Sequence, residues 1–144
     1  MLKYVLNDFD NGRQTMDGKE LIAIAKQARK ASYSPYSGFS VGAALLTKSG
    51  KVFTGCNIEN ATFSPTICAE RTAFAKAISE GEREFDAIAI VGGSDSDDEI
   101  CYPCGVCRQF MSEFCDGDFK LFFADGGNVK EYKYDEMMPH RFYL

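Results

Sequence analysis

The sequence predicts an α/β protein of three layers, in which a central mixed five-stranded sheet lies between helices on both of its faces. Hydrophobic residues make up 45% of the 144 residues, and aromatic residues 13%, which suits a packed core in a domain of this length. After a first helix and a hairpin of two strands, helices alternate with strands along the chain. Residues 85–91 are apolar almost throughout, as is typical of a strand covered on both faces.

The first predicted elements are a helix and two strands. Asp17 can cap a helix that extends to about residue 31, because apolar residues recur behind it at helical spacing. Residues 41–47 and 52–56 are rich in β-forming residues, and a Ser-Gly pair between them predicts a hairpin turn. The sequence therefore opens with the order αββ.

The second half continues this pattern. An alanine-rich helix is predicted over 68–79, and Gly81 ends it. The remaining predicted elements are a strand at 85–91, a helix at 104–114, and strands at 119–124 and 129–134. The complete order is αββαβαββ. Because no repeat or long linker divides the chain, we expect a single domain over residues 1–144.

Composition and charge exclude several classes of function. A net charge of −5 argues against nucleic-acid binding, because such proteins concentrate Lys and Arg on one face. No 18-residue apolar run predicts a membrane span, and residues 1–8 lack the apolar core of a signal peptide. A cytoplasmic protein is therefore expected. In that compartment the six cysteines indicate metal or redox chemistry, since disulfides are rare there.

Two short motifs contain residue types that bind metals. Cys68-Ala69-Glu70 opens one predicted helix, and Pro103-Cys104-Gly105-Val106-Cys107 opens another. Residues i and i+3 share a helix face, and the partial positive charge of a helix N-terminus favours thiolates. Catalytic zinc normally has three protein ligands and an open fourth position. We therefore expect one metal ion at Cys68, Cys104 and Cys107, with Glu70 beside the open position.

Together the two motifs resemble the signature of the zinc deaminases, in which HxE precedes PCxxC and three cysteines can be the ligands. Two more blocks extend the resemblance over most of the sequence: YSGFSVGAAL at 36–45 and GCNIENA at 55–61. With four blocks in order, the chain resembles the small, homotetrameric, zinc-dependent cytidine deaminases. It departs from their pattern where Met137 and Met138 replace leucines, and where Cys101 shortly precedes the PCxxC motif.

The resemblance implies a cytidine-deaminase-like fold, a Zn²⁺ cofactor and hydrolytic deamination. The products would be uridine or deoxyuridine and ammonia, from cytidine or deoxycytidine, in pyrimidine salvage. Glu70 would move protons between water, the ring nitrogen and the leaving ammonia. Three thiolates weaken zinc as a Lewis acid, so nearby positive charge matters. Arg71 is the first candidate for this charge, and Arg108 is the second.

The resemblance also implies how the substrate is bound. In this family the Asn and Glu of the NIEN block hold the sugar hydroxyls of a nucleoside, which corresponds to Asn57 and Glu59. An aromatic residue before the VGAAL strand lines the base pocket, which corresponds to Phe39. The other expected contacts to substrate are Ala69, Phe63 and Phe142, of which Phe63 would reach a neighbouring subunit's site in a homotetramer.

Other classes of function stay open at this point. Cys101 or Cys56 could complete a structural zinc site, in a module that binds protein or nucleic acid. The Cys104–Cys107 pair could be a redox dithiol at a helix start. Among deaminases, those that act on nucleotides, tRNA or antibiotics are the nearest alternatives. The NIEN block favours a free nucleoside.

Overall fold

Two apolar clusters, one on each face of a five-stranded sheet, form the core of the protein. The structure is a computed structural model and describes residues 9–10, 13–14, 16–94 and 99–144, so the expectation for residues 1–8 lies outside the described part. In chain order the elements are β1 (Phe9–Asp10), β2 (Arg13–Gln14), α1 (Gly18–Arg29), β3 (Val41–Thr47), β4 (Val52–Cys56), α2 (Ala69–Ser79), β5 (Phe85–Gly92), α3 (Gly105–Ser112), β6 (Lys120–Asp125), β7 (Asn128–Lys133) and α4 (Tyr134–Met137).

The sheet has the order β4-β3-β5-β6-β7 and is mixed. Strand β3 pairs antiparallel with both β4 and β5, β5 pairs parallel with β6, and β6 pairs antiparallel with β7. The predicted five-stranded mixed sheet is confirmed. The parallel pair requires a crossover connection, which contains α3 and the second cysteine motif.

Helices cover both faces of this sheet, as predicted. Helix α1 places Leu21 and Ile22 on one face, in a cluster with apolar side chains of β3, β5 and β6. Helices α2 and α3 cover the other face, where Phe74 and Met111 are fully buried. The α/β/α layering therefore puts the starts of α2 and α3 on the same side of the sheet.

The predicted element order was wrong at both ends. A two-residue strand pair, β1 with β2, precedes α1, and such short strands have no detectable periodicity. Tyr134 begins helix α4 instead of ending the last strand. Its side chain is fully buried, and the Glu136 carboxylate accepts a hydrogen bond from the Lys133 N–H at 2.7 Å, which caps the turn. Helix α3 also ends at Ser112, two residues before the predicted end.

Close packing fixes the start of α2 against the edge strand β4. A Cβ atom on Gly55 would lie 2.2 Å from the Ala69 carbonyl oxygen, so only glycine permits this approach. The Thr72 hydroxyl donates to the Cys56 carbonyl at 3.0 Å. These contacts hold Cys68, the N-cap residue of α2, at a defined distance from the sheet.

None of the helices in the described residues is long and apolar enough to cross a membrane.

Candidate active site

Three cysteine sulfurs converge where α2 and α3 begin. Cys68 and Cys104 are the N-cap residues of the two helices, and Cys107 lies in the first turn of α3. Their Sγ atoms all lie within 4.8 Å of one another, and the Cys68 and Cys104 sulfurs are 3.8 Å apart. Tetrahedral zinc with Zn–S bonds of about 2.3 Å requires sulfurs about 3.8 Å apart. The cluster therefore fits a zinc ion with three protein ligands.

Positive charge at this cluster favours thiolates. Both helices direct their N-termini at the sulfurs, and the Arg71 Nη2 donates to the Cys68 Sγ at 3.5 Å. The pKa of Cys68 is lowered to about 5, because the Cys107 thiol donates a hydrogen bond to it and Arg71 lies alongside. The same hydrogen bond raises the pKa of Cys107, as does burial. The Arg71 guanidinium thus lies where a positive charge can stabilise the thiolate of Cys68.

Glu70 is a buried carboxyl group next to the cluster. Glu70 is only 4% exposed to solvent. Burial raises the pKa of Glu70 from 4.5 to about 7, and the negative charge of Cys68 adds to this while Arg71 opposes it. A group with a pKa near the working pH can both accept and return a proton. Glu70 therefore has the properties of a general acid and base.

The structure gives Arg108 a different place from the one expected. Its Nε donates to the Pro103 carbonyl at 2.8 Å, and its Nη1 donates to the Met137 carbonyl at 2.6 Å. The guanidinium therefore holds the turn before Cys104 against α4. Arg108 supports the shape of the cysteine motif, whereas the contact with a ligand sulfur is made by Arg71.

Neither alternative fourth ligand belongs to the metal cluster found among the described residues. The Cys101 thiol is half-buried, and burial followed by the charge of Glu70 raises its pKa to about 12, so it stays protonated. The Cys56 thiol donates to the Ala31 carbonyl at 3.4 Å. The arrangement leaves a fourth metal position without a protein ligand from this part of the chain.

Asn57 and Glu59 lie at the end of β4 and are engaged with the loop before β3. The Asn57 Oδ1 accepts from the Ser32 hydroxyl and from the Val41 N–H, the latter at 2.9 Å. Glu59 is a buried residue whose carboxylate accepts from the Ser37 hydroxyl and from the N–H of Tyr36 at 2.9 Å. These bonds, the Ser37 hydroxyl foremost, lower the pKa of Glu59 against the effect of burial.

Phe39 lies beside a cavity at the ends of β3 and β5. The cavity has a volume of about 440 Å³ and is also lined by Gly92 and Cys101, within the size range of small-molecule sites. A Cβ on Gly92 would lie 2.8 Å from the Phe39 Cζ and from the Cys101 Sγ. Glycine at the end of β5 therefore lets these two side chains lie side by side.

The remaining predicted substrate residues occupy two kinds of position. Ala69 is fully buried at the first position of α2, between Cys68 and Glu70. Phe63 and Phe142 lie on the surface, 65% and 67% exposed. The Phe142 carbonyl accepts from the Gln109 Nε2 of α3 at 3.1 Å. Neither ring is packed into the core of its own chain.

Sequence reasoning missed the hydroxyl groups that bond to Asn57 and Glu59 of the NIEN block. Ser32 donates to Asn57 and Ser37 donates to Glu59, and no motif in the sequence assigns a role to either serine. The three serines and two tyrosines of segment 32–38, which precede a strand, indicate local hydrogen bonding. The partners of Ser32 and Ser37 are more than 20 residues away in sequence, and only the fold reveals them.

Comparison with known proteins agrees with this geometry. The sequence pattern described as the cytidine and deoxycytidylate deaminase zinc-binding region matches residues 16–123, which contain all three clustered cysteines. The chain belongs to this deaminase family. Zinc is accordingly its cofactor.

Relatives in the deaminase family align over nearly the whole length. The cytidine deaminase of Sporosarcina psychrophila is 46% identical over 128 residues, covering 88% of this chain and 92% of the relative. That of Halalkalibacterium halodurans is 48% identical over 128 residues, with 88% and 95% covered. A crystal structure of cytidine deaminase from Burkholderia pseudomallei superimposes with a TM-score of 0.81 at 43% identity, covering 88% of this chain and 100% of that one. The cytidine-deaminase-like fold is thereby confirmed.

Proposed function

We propose that this protein is a zinc-dependent cytidine deaminase, which hydrolyses cytidine and deoxycytidine to uridine and deoxyuridine with release of ammonia. The observation that carries the proposal is a buried Glu70 with a pKa of about 7 beside a cluster of three thiols that fits zinc. Membership of the deaminase family and the names of the relatives support the substrate. Pyrimidine salvage is the metabolic role that this reaction would serve.

In the proposed mechanism Cys68, Cys104 and Cys107 hold the metal. When bound, zinc supplies a Lewis acid that lowers the pKa of a water molecule toward about 7. The ionised Glu70 accepts one proton of the attacking water and delivers it to the ring nitrogen next to the amino-bearing carbon. It then accepts the second water proton and delivers it to the departing amino group. The water oxygen stays on the carbon as the new carbonyl, and ammonia leaves.

Glu70 is suited to these transfers because its surroundings exclude water. A carboxyl group with an ordinary pKa would be ionised at neutral pH, but it would be too weak a base to accept a proton from water readily. Burial raises the pKa of Glu70, so both protonation states are accessible near pH 7. Arg71 opposes this rise and also bonds to Cys68, which limits the net negative charge of the site.

A nucleoside is the proposed substrate because the groups beside the site suit a sugar. Glu59 offers an ionised carboxylate for sugar hydroxyls, and Asn57 lies next to it at the end of β4. Phe39 and the adjoining cavity suit a planar base. A 5′-phosphate would meet the negative charge of Glu59, so nucleotides should bind weakly.

We also propose a homotetramer whose sites are shared between subunits. Phe63 and Phe142 are large apolar side chains left exposed in one chain, and a neighbouring subunit would cover them. Phe142→Ala should then weaken both assembly and nucleoside affinity. Tyr143→Ala is the control, since this neighbour is 72% exposed. Sedimentation and steady-state kinetics on the two variants would contradict the proposal if they showed an active monomer.

The remaining features of the proposal concern the setting of the enzyme. All six cysteines are free thiols, and a metal site of three thiolates requires a reducing compartment, which supports a cytoplasmic location. A single domain over 1–144 and the absence of nucleic-acid or membrane partners remain predictions, the latter supported by the net charge of −5.

Ammonia release is the experiment that tests the function. Purified protein is incubated with cytidine, deoxycytidine, cytosine and CMP, each with and without a zinc chelator. We expect turnover of the two nucleosides only, and its loss with chelator. Turnover of CMP as fast as cytidine would contradict the nucleoside assignment, and full activity in zinc-free protein would contradict the metal mechanism.

A further inference from the structure

The N–H and the carbonyl of Phe39 are both hydrogen-bonded to side chains, which connect them to Glu59 and Asn57, the residues proposed to bind the sugar. The Phe39 N–H donates to the Ser37 hydroxyl oxygen at 3.0 Å, and the Ser37 O–H in turn donates to the Glu59 carboxylate. The Phe39 carbonyl accepts from the Asn57 Nδ2 at 2.8 Å. Two side-chain bridges therefore connect residues 57–59 to the backbone of the residue beside the cavity.

These bridges matter because Phe39 lies in neither a helix nor a strand. It follows Gly38, whose φ of +69° places the chain in a left-handed turn, and it precedes β3. The Phe39 side chain is 49% exposed, so core packing restrains it only partly. The position of the ring consequently depends on the hydrogen bonds to its own peptide groups.

Ser37 contacts both the Glu59 carboxylate and the Phe39 backbone. Its hydroxyl has one proton to donate and accepts in return, and the structure uses both capacities, toward Glu59 and toward the Phe39 N–H. Its own N–H also donates to Glu59 at 3.2 Å. Loss of this hydroxyl would remove a donor from the carboxylate and the acceptor from Phe39 at the same time.

We infer that Ser37 is a positioning residue that couples recognition of the sugar to recognition of the base, by joining the Glu59 carboxylate to the Phe39 backbone. The inference rests on the proposed function, in which Glu59 faces the sugar and Phe39 faces the base. Asn57 makes the second connection, because its Nδ2 donates to the Phe39 carbonyl. Movement of the carboxylate toward a sugar hydroxyl is transmitted through Ser37 to the aromatic ring.

The test uses the full-length zinc enzyme with Ser37→Ala, and with Ser37→Thr as the conservative variant that keeps the hydroxyl. Ser49→Ala is the matched control, because Ser49 is also exposed and donates to a carboxylate, that of Glu82, at 3.0 Å. Its hydroxyl lies in the β3–β4 turn. Kinetics are measured with cytidine, and affinity with 2′,3′-dideoxycytidine, which lacks the 2′- and 3′-hydroxyls and keeps the 5′-hydroxyl. Hydrogen exchange of the Phe39 amide gives a readout that is independent of activity.

We expect Ser37→Ala to raise KM for cytidine about tenfold, as loss of a hydrogen bond to a charged group does, with kcat changed less than about twofold. Affinity for the dideoxynucleoside should fall in parallel, and exchange of the Phe39 amide should accelerate. Ser37→Thr should restore all three, and Ser49→Ala should change none of them.

An unchanged affinity for 2′,3′-dideoxycytidine in Ser37→Ala would overturn the coupling, since Ser37 would then act on the sugar alone. Unaltered Phe39 exchange, or no recovery in Ser37→Thr, would also overturn it. Failure of the proposed function is a different result: the unmodified zinc enzyme would release no ammonia from any nucleoside, whereas the exchange experiment would still report on the Ser37 bridge.

Discussion

The two halves of the proposed active site are built by different means. The metal half consists of residues at the starts of α2 and α3, held by helix packing and by the close approach of α2 to Gly55. The half proposed to bind the sugar consists of loop residues held by side-chain hydrogen bonds, with Asn57 and Glu59 as the main acceptors. Helix packing gives a rigid set of ligands, and a hydrogen-bonded loop can adjust to a substrate. We therefore expect a substitution in the metal half to abolish activity, and a substitution in the hydrogen-bonded half to reduce affinity or stability by degrees.

The largest expected effect comes from removal of one metal ligand. Cys107→Ala should lose the bound zinc and all measurable turnover, because two thiolates cannot replace a three-ligand site. Cys101→Ala is the control, since its thiol stays protonated and lies outside the cluster. Metal analysis of both purified variants tests this. One zinc per chain in Cys107→Ala would remove the basis for the three-thiol site.

Glu70→Gln should have the next largest effect and should separate chemistry from metal binding. General acid and base catalysis contributes about 10²- to 10⁴-fold, so kcat should fall by that factor while zinc content stays the same. Glu80→Gln, at the other end of the same helix, is the control and should be fully active. If Glu70→Gln turns over at nearly the original rate, another group moves the protons.

The two carboxylates should affect stability with opposite dependence on pH. The pKa of Glu70 is raised from 4.5 to about 7, so in metal-free protein its ionisation lowers stability progressively as pH rises through that window. Glu70→Gln should then be more stable than the unmodified chain by up to about 3 kcal/mol at pH 8, and by much less at pH 5.

Glu59 provides the comparison, because its pKa is lowered. Its stabilising contribution is present above pH 4.5 and is lost as pH falls through the lowered value. Glu59→Gln should therefore be less stable than the unmodified chain at pH 7, with the difference disappearing in acid. Chemical denaturation of metal-free protein at several pH values tests both variants, and the same sign for the two would refute the contrast.

The smallest effect concerns Asn57, whose side chain connects the end of β4 to the loop before β3. Asn57→Ala leaves the Val41 N–H and the Phe39 carbonyl without these partners, which should cost about 1–3 kcal/mol, or a fall in Tm of about 3–10 °C. Asn60→Ala is the control, because Asn60 makes a local bond to the Thr62 N–H. Zinc content should be normal in both. Loss of zinc in Asn57→Ala would show that the two halves are not separable.

The metal half was predictable from the sequence because its information is local. Cys68 with Glu70, and Cys104 with Cys107, are separated by two or three residues on regular helices, so helix geometry fixes how they are presented. The alternation of strands and helices also predicted the layers correctly. The sequence predicted that each cysteine motif opens a helix, and the structure shows that both helices cover the same face of the sheet and that their sulfurs lie within bonding range of one metal ion.

Tertiary structure alone decided the side-chain contacts between elements that are distant in sequence. Which arginine contacts a sulfur depends on side-chain direction: Arg71 bonds to Cys68, whereas Arg108 bonds to two carbonyl groups. The partners of Ser37 and Asn57 could not be predicted, because their bonds join segments about 20 residues apart that meet only when β3 pairs with β4. Motif spacing determines chemistry within one helix, and packing determines the contacts between elements, since those contacts depend on the position of every strand in the sheet.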